Sequence, residues 1–327
     1  MTTRKSRPHI KTRLHKRNRN RQRYDLNALT VSQPELAEHV TANKHGADSI
    51  DFSNPRAVKL LNRALLRHYY GIHNWDFPDA HLCPPIPGRA DYLHYLADLL
   101  AGSNHEKVPR GESIICLDIG VGATCIYPII GHIEYGWCFI GSDTEQTSLD
   151  NAQSIIDANP DQLNNQIKLR RQKDANCIFT GIIDPSEKID LTMCNPPFHP
   201  SVEKANIENR RKVKNLTRGK KSRPARNFSG MHNELIFAGG ASTFIRKMIE
   251  ESRSFADNCL WFSSLVAKQA HLKGIHAALK KADATQVQTI SMGTGNKSTR
   301  IVAWTFLSQA EQRAWSASRW QANAEEE

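Results

Sequence analysis

No run of about 18 uninterrupted apolar residues occurs anywhere in the 327, and the N-terminus has no apolar leader segment. Insertion into a membrane and secretion are therefore not expected. An Arg-rich, acid-free start has the charge of a transit peptide, but it holds few serines and almost no apolar face. The seven cysteines (Cys83, Cys116, Cys125, Cys138, Cys177, Cys194 and Cys259) are odd in number and contain no Cys-x-x-Cys. Neither a disulfide framework nor a thiolate metal cluster is expected. Several lie in strand-like apolar runs, the pattern of reduced, buried thiols in a cytoplasmic protein.

Acid is missing altogether from residues 1–23, where ten Lys or Arg stand: Arg4, Lys5, Arg7, Lys11, Arg13, Lys16, Arg17, Arg19, Arg21 and Arg23. A second segment, 204–226, holds ten more (Lys204 through Arg226) against the single Glu208. With +10 and +9 placed there, a net +11 leaves the remainder of the chain at −8. An acidic body with two basic appendages suits a polyanion held at defined places, because each Lys or Arg set against a phosphate releases a condensed counterion. Nucleic acid is the expected partner.

With 39% hydrophobic residues the chain can bury one large α/β core or two smaller ones. Residues 1–24 read as a disordered basic arm. Residues 25–110 read as a helical N-terminal extension. Asn54-Pro55 caps and opens one amphipathic helix reaching about Tyr69, and a second runs from about Arg89. From Ser113 onward, strands and helices alternate to about residue 310, with the basic insertion at 200–230, and 311–327 form a C-terminal tail. This order predicts an α/β fold, a mostly parallel seven-stranded sheet with an antiparallel last strand and helices on both faces.

Two loops carry chemistry. Ile114–Leu117 reads as a buried strand running into Asp118-Ile-Gly-Val-Gly-Ala-Thr124, and the next strand ends at Asp143, 23 residues after Gly120. Gly120 and Gly122 let backbone approach an adenosine-type cofactor, and Asp143 can take both ribose hydroxyls. The third glycine of the dinucleotide fingerprint is absent, since Cys125 stands there. After a third strand, Ile167–Arg171, Asp174 either reaches the cofactor's base or is a solvated turn residue.

The second loop is Asn195-Pro196-Pro197-Phe198, at the end of the apolar run Ile189–Cys194. Two prolines stop the strand. Asn195 offers an amide oxygen and Pro196 a carbonyl with no competing N–H, so two acceptors converge where a planar amino group could donate both hydrogens. Phe198 supplies a flat surface for a base.

Asp-Ile-Gly-Val-Gly-Ala combined with Asn-Pro-Pro-Phe resembles the Rossmann-like class I S-adenosylmethionine-dependent methyltransferases that modify amines. More narrowly, Asp51-Phe-Ser-Asn-Pro-Arg56, Gly122-Ala-Thr-Cys-Ile-Tyr-Pro128, Arg170-Arg-Gln-Lys-Asp174 and Asn195-Pro-Pro-Phe-His199 resemble the bacterial ribosomal RNA large subunit methyltransferase F family. The similarity runs from about residue 10 to 310. It implies N6-methylation of one specific adenine of 23S ribosomal RNA by a cytoplasmic monomer that uses S-adenosylmethionine and no metal. It also implies that Arg89, Asp118, Gly120, Gly122, Thr124, Asp143 and Asp174 hold the cofactor and Asn195 to Phe198 the adenine. Ala238-Gly-Gly-Ala241 departs from the family, where glutamates flank the glycine pair. Two other functions fit the residues: methylation of a protein glutamine by the same Asn-Pro-Pro arrangement, and a non-catalytic RNA-binding assembly factor.

Overall fold

A computed structural model describes residues 14–43, 46–79, 81–163, 165–197, 201, 236–294 and 297–320. The basic insertion at 204–226, residues 1–13 and Phe198 lie outside the described residues.

The chain opens with α1 (Leu26–Ser32), a small antiparallel pair β1 (Val40–Ala42) and β2 (Asp48–Ile50), α2 (Pro55–Tyr70) and α3 (Ile86–Gly102). Asn54 caps α2 by accepting from the Arg56 and Ala57 N–H groups, and Gly71 ends it at φ +67°. Then follow β3 (Ile115–Ile119), α4 (Ile126–Tyr135), β4 (Cys138–Asp143), α5 (Gln146–Asp157), α6 (Pro160–Leu163), β5 (Ile167–Arg171) and β6 (Ile189–Cys194). Beyond the insertion come α7 (Gly240–Ser252), β7 (Cys259–Val266), α8 (Leu272–Lys281), β8 (Gln286–Thr294), β9 (Lys297–Thr305) and α9 (Gln309–Arg319).

Seven strands form one sheet in the order β5-β4-β3-β6-β7-β9-β8, and only β9 runs against its neighbours. Successive residues alternate between two cores, as the period of a strand requires. Cys116, Phe139, Trp261 and Ala303 pack with α2–α5, while Leu117, Ile140, Phe262 and Val302 pack with α7, α8 and the segment around Phe179. The sheet is thus buried on both faces, which is why its central strands read as continuous apolar runs.

The expected disordered arm is folded from Leu14 onward. Leu14, His15, Asn18 and Asn20 are buried. The reason is a line of acids on α3 and α4. Asp91 accepts from the His15 N–H at 3.0 Å and the Asn18 amide at 2.6 Å; Asp98 pairs with Arg17 at 2.8 Å, and Glu134 with Arg19 at 2.8 Å. Part of the N-terminal positive charge is therefore neutralised inside the molecule. The N-terminal extension, expected to be helical, also contains the β1–β2 pair.

The expected C-terminal tail is also structured. Ser308 and Glu311 form a capping box at the start of α9, and the helix docks on Asp190 at the buried base of β6. Asp190, fully buried, accepts from the Ile115 N–H at 2.7 Å, the Trp315 indole at 2.7 Å, the Trp320 indole at 2.8 Å and the Arg319 guanidinium at 3.3 Å. Replacing Asp190 by Ala leaves three neutral donors and the Arg319 guanidinium without their acceptor. We expect D190A to lose about 3 kcal/mol of stability, read from chemical denaturation.

Candidate active site

β3 and β6 are adjacent and parallel, in a register that sets Ile119 opposite Cys194. The residues that follow, Gly120 and Asn195, therefore leave the sheet side by side at its C-terminal edge. There a cavity of about 430 Å³ opens. Arg89, Gly120, Gly122, Thr124, Asp143, Asn195 and Pro197 all line it.

The glycine turn is shaped by its own backbone. Gly120 and Gly122 sit at φ +75° and +63°, and a Cβ built on either would meet nothing within 4 Å, so the loop presents bare backbone to open space. The Gly120 and Val121 N–H groups both donate to the Ser142 carbonyl at 2.9 Å, tying the turn to the end of β4. Asp143 accepts from the Gly122 N–H at 2.9 Å through one oxygen and from the Glu145 N–H at 3.0 Å through the other. Cys125 adopts a left-handed conformation at φ +50° where the third glycine would stand, and it is fully buried. Trp75, from the N-terminal extension, donates to the Thr124 carbonyl at 2.8 Å and braces the loop from behind.

Asp118 does not line the cavity. It lies buried beneath it, 1% exposed, and neither carboxylate oxygen has a hydrogen-bond partner among the described residues. Burial pushes its carboxyl up to about 8, with the Arg89 charge opposing the rise and Asp143 adding to it. The Arg89 guanidinium lies 5.2 Å from the Tyr127 ring and donates to the Tyr127 hydroxyl at 2.6 Å. With the Asn195 amide oriented so that its oxygen faces Arg89, that oxygen accepts from both terminal nitrogens at 3.1 and 3.2 Å. The Arg89 guanidinium on the cavity surface suits the carboxylate of an amino-acid end, while bare glycine backbone and Asp143 suit a ribose. These residues fit the methionine and ribose portions of S-adenosylmethionine.

Asp174 is exposed, in a turn where it accepts from the Asn176 N–H at 2.8 Å, and that bond, followed by one from the Cys177 thiol, holds its carboxyl below the usual range. Its neighbours Gln172, Ala175, Cys177 and Ile178 line the cavity instead. Pro196 is buried behind Asn195, away from the cavity surface.

Several residues at this site were missed by sequence reasoning. Ile236, Phe237, Phe244 and Lys247 form a wall of their own, with the two phenylalanine rings edge to face at 5.1 Å. The departing Ala238-Gly-Gly-Ala241 stretch joins Phe237 to α7. Tyr92 and Ser263, both fully buried, span the gap where β6 and β7 part beyond Leu191 and Trp261. The Tyr92 hydroxyl accepts from the Cys194 N–H at 3.3 Å and meets Ser263 at 2.9 Å; Ser263 in turn donates to the Thr192 carbonyl at 2.8 Å. Two hydroxyls thus replace ladder bonds immediately before Asn195. Only the apolar stripe of α3 pointed to Tyr92, and nothing in the local sequence marks Ser263.

A family model described as an RNA methyltransferase matches residues 9–308. The chain is 52% identical over 317 residues to the ribosomal RNA large subunit methyltransferase F of Serratia proteamaculans, covering 97% of this chain and 94% of that one. It is 50% identical over 316 residues to the protein of the same name from Cytophaga hutchinsonii, covering 97% and 98%. Among solved structures, the hMettl16 catalytic domain in complex with MAT2A 3′UTR hairpin 1 superposes with a TM-score of 0.75 at 26% identity, over 90% of this chain and 96% of that chain. The N-terminal domain of human METTL16 in complex with SAH shares the fold, with a TM-score of 0.70 at 24% identity, over 90% and 99%.

The Asp118 carboxyl generates a pH signature. Between the ordinary carboxylate range and pH 8 the folded protein holds a proton that the unfolded chain has released, so this group's contribution to stability falls as pH rises through that window. Asp118→Asn lacks the slope. Denaturation of both proteins from pH 5 to 8 is expected to show the variant gaining on the wild type, by up to about 1.4 kcal/mol per pH unit.

Proposed function

The chain belongs to the ribosomal RNA large subunit methyltransferase F family of RNA methyltransferases, and on that footing we propose that it methylates the exocyclic N6 of one adenine in 23S ribosomal RNA. It is a methyltransferase of ribosomal RNA, and its cofactor is S-adenosylmethionine. The observation that carries the finer reading is the placement of Gly120 and Asn195 on one cavity by the β3–β6 register.

S-adenosylmethionine supplies a methyl group already activated on a sulfonium, so the protein has mainly to orient the acceptor. Gly120 and Gly122 admit the cofactor to the backbone, and Asp143 takes its ribose hydroxyls. Arg89 would hold the amino-acid end, with Asp118 buried beneath the cavity rather than in contact with it. Asn195 would accept a hydrogen of the amine, which would leave the nitrogen lone pair directed at the methyl group and stabilise positive charge as it develops there; Pro196, expected to supply a second acceptor, does not line the cavity. The proton leaves to water afterwards, and no general base is assigned. Arg89 fixes the orientation of the Asn195 amide through the contacts at 3.1 and 3.2 Å. Phe198 stacks on the adenine, which must be unpaired or flipped to reach the cavity.

Incubating the protein with labelled S-adenosylmethionine and rRNA from cells lacking the enzyme, followed by nuclease mapping, is expected to yield a single N6-methyladenosine. Label in a release factor and none in rRNA would mean a glutamine is the acceptor instead. Asn195→Ala should lower turnover at least about a hundredfold while the cofactor dissociation constant stays close to wild type. Unchanged turnover would remove Asn195 from the role.

The basic appendages are proposed to track phosphates. Because Arg17 and Arg19 are engaged internally, residues 2–13, with Arg4, Lys5, Arg7, Lys11 and Arg13, are the portion whose removal tests this without disturbing the docked segment. Their deletion is expected to weaken RNA binding and flatten its salt dependence by roughly 0.7 in logarithmic slope for each phosphate no longer neutralised. Cofactor affinity should not change.

A further inference from the structure

The segment that follows β5 forms one wall of the cavity through Gln172, Ala175, Cys177 and Ile178. It has no regular secondary structure to hold its shape, and two side chains do so in its place. Gln172 closes it from inside: its amide nitrogen donates to the Thr180 carbonyl at 3.0 Å and its amide oxygen accepts from the Asp174 N–H at 3.0 Å. Glu251 closes it from outside. One carboxylate oxygen accepts from the Ile178 N–H at 2.7 Å, and the other from the Phe179 and Thr180 N–H groups at 2.9 and 2.8 Å.

Three consecutive backbone donors gathered on one carboxylate form an anion nest, here filled by a side chain of the protein itself. Glu251 stands at the far end of α7, and Phe244 and Lys247 stand seven and four residues before it on the same helix face. Those two side chains also line the cavity, and the Lys247 charge acts on Asp174 and Cys177 of this wall. One face of α7 therefore both anchors this wall, through Glu251, and lines the cavity, through Phe244 and Lys247.

We infer that Glu251 is a positioning residue that locks the Gln172–Thr180 wall, against which the cofactor's adenine rests, to the helix carrying Phe244 and Lys247. The inference rests on the reading of this cavity as the S-adenosylmethionine site. Glu251 touches neither cofactor nor RNA. It fixes the wall that reads the cofactor's base against the helix that supplies Phe244 and Lys247 to the same cavity. The wall reads a purine with its backbone and with short side chains, which discriminate only if the loop is held still.

Glu251→Gln keeps the size of the side chain but sets an amide NH2 against at least one backbone N–H, two donors face to face. The full-length protein is titrated calorimetrically with S-adenosylhomocysteine and with S-inosylhomocysteine, which has an oxo group in place of the base's amino group. Wild type is expected to prefer the former. In E251Q the dissociation constant for S-adenosylhomocysteine should rise roughly tenfold and the preference should shrink towards unity. Glu251→Asp, which keeps both oxygens on a shorter stem, should fall between the two, and serves alone if E251Q does not fold.

Wild-type affinity and preference in the variants would overturn the inference while leaving the cofactor site standing. A uniform loss for both ligands, with the preference intact, would also overturn it, since that is what general destabilisation does. Failure of the wild type to bind S-adenosylhomocysteine at all would overturn the reading of the cavity, and the inference with it.

Discussion

The parallel pairing of β3 with β6 is the constraint on which the rest of the molecule depends. With Ile119 set opposite Cys194, two chains leave the sheet about 4.8 Å apart at the same edge, one into a glycine turn and the other into two prolines. Neither loop defines a reaction alone. A slip of one residue in this register would turn every β6 side chain to the opposite core, so the apolar residues on the two faces of the sheet hold the active site in alignment. Asp190 at the base of β6 and the Tyr92–Ser263 hydroxyls at its tip pin the same strand at both ends.

The polar groups around the cavity divide between those that hold backbone and those that face open space. Asp143 and Gln172 do both, bonding loop N–H groups while lining the cavity. Asp118 does neither, and its buried carboxyl without a hydrogen-bond partner among the described residues is a cost that packing and hydrogen bonds elsewhere must offset. Charge is handled differently at the N-terminus, where Arg17 and Arg19 pair with acids of α3 and α4 and leave the residues before Leu14 as the candidate partners for phosphate.

How far the residues themselves announced this arrangement differs from element to element. The strands from Ile115 to Val266 were legible because a sheet covered on both faces demands unbroken apolar runs, and the helices because their apolar positions recur on one face. Positive charge without acid at residues 1–24 read as disorder, because composition cannot reveal that Asp91 and Asp98 wait on a helix about 70 residues further on. The C-terminal segment, short and polar, hid a helix in which Trp315, and after which Trp320, is placed only by the buried carboxylate both reach.

By itself the order of residues determined the two loops, their residue types and the strand–turn–helix settings that expose them, since glycine, proline and a strand-ending acid act through local backbone chemistry. Tertiary structure alone decided which side chains support those loops. Glu251, Tyr92 and Ser263 come from helices and strands whose local patterns show only burial, and they meet the site through contacts spanning about 70 to 170 positions of chain. Local propensity carries no information about such distances; the closing of the sheet does.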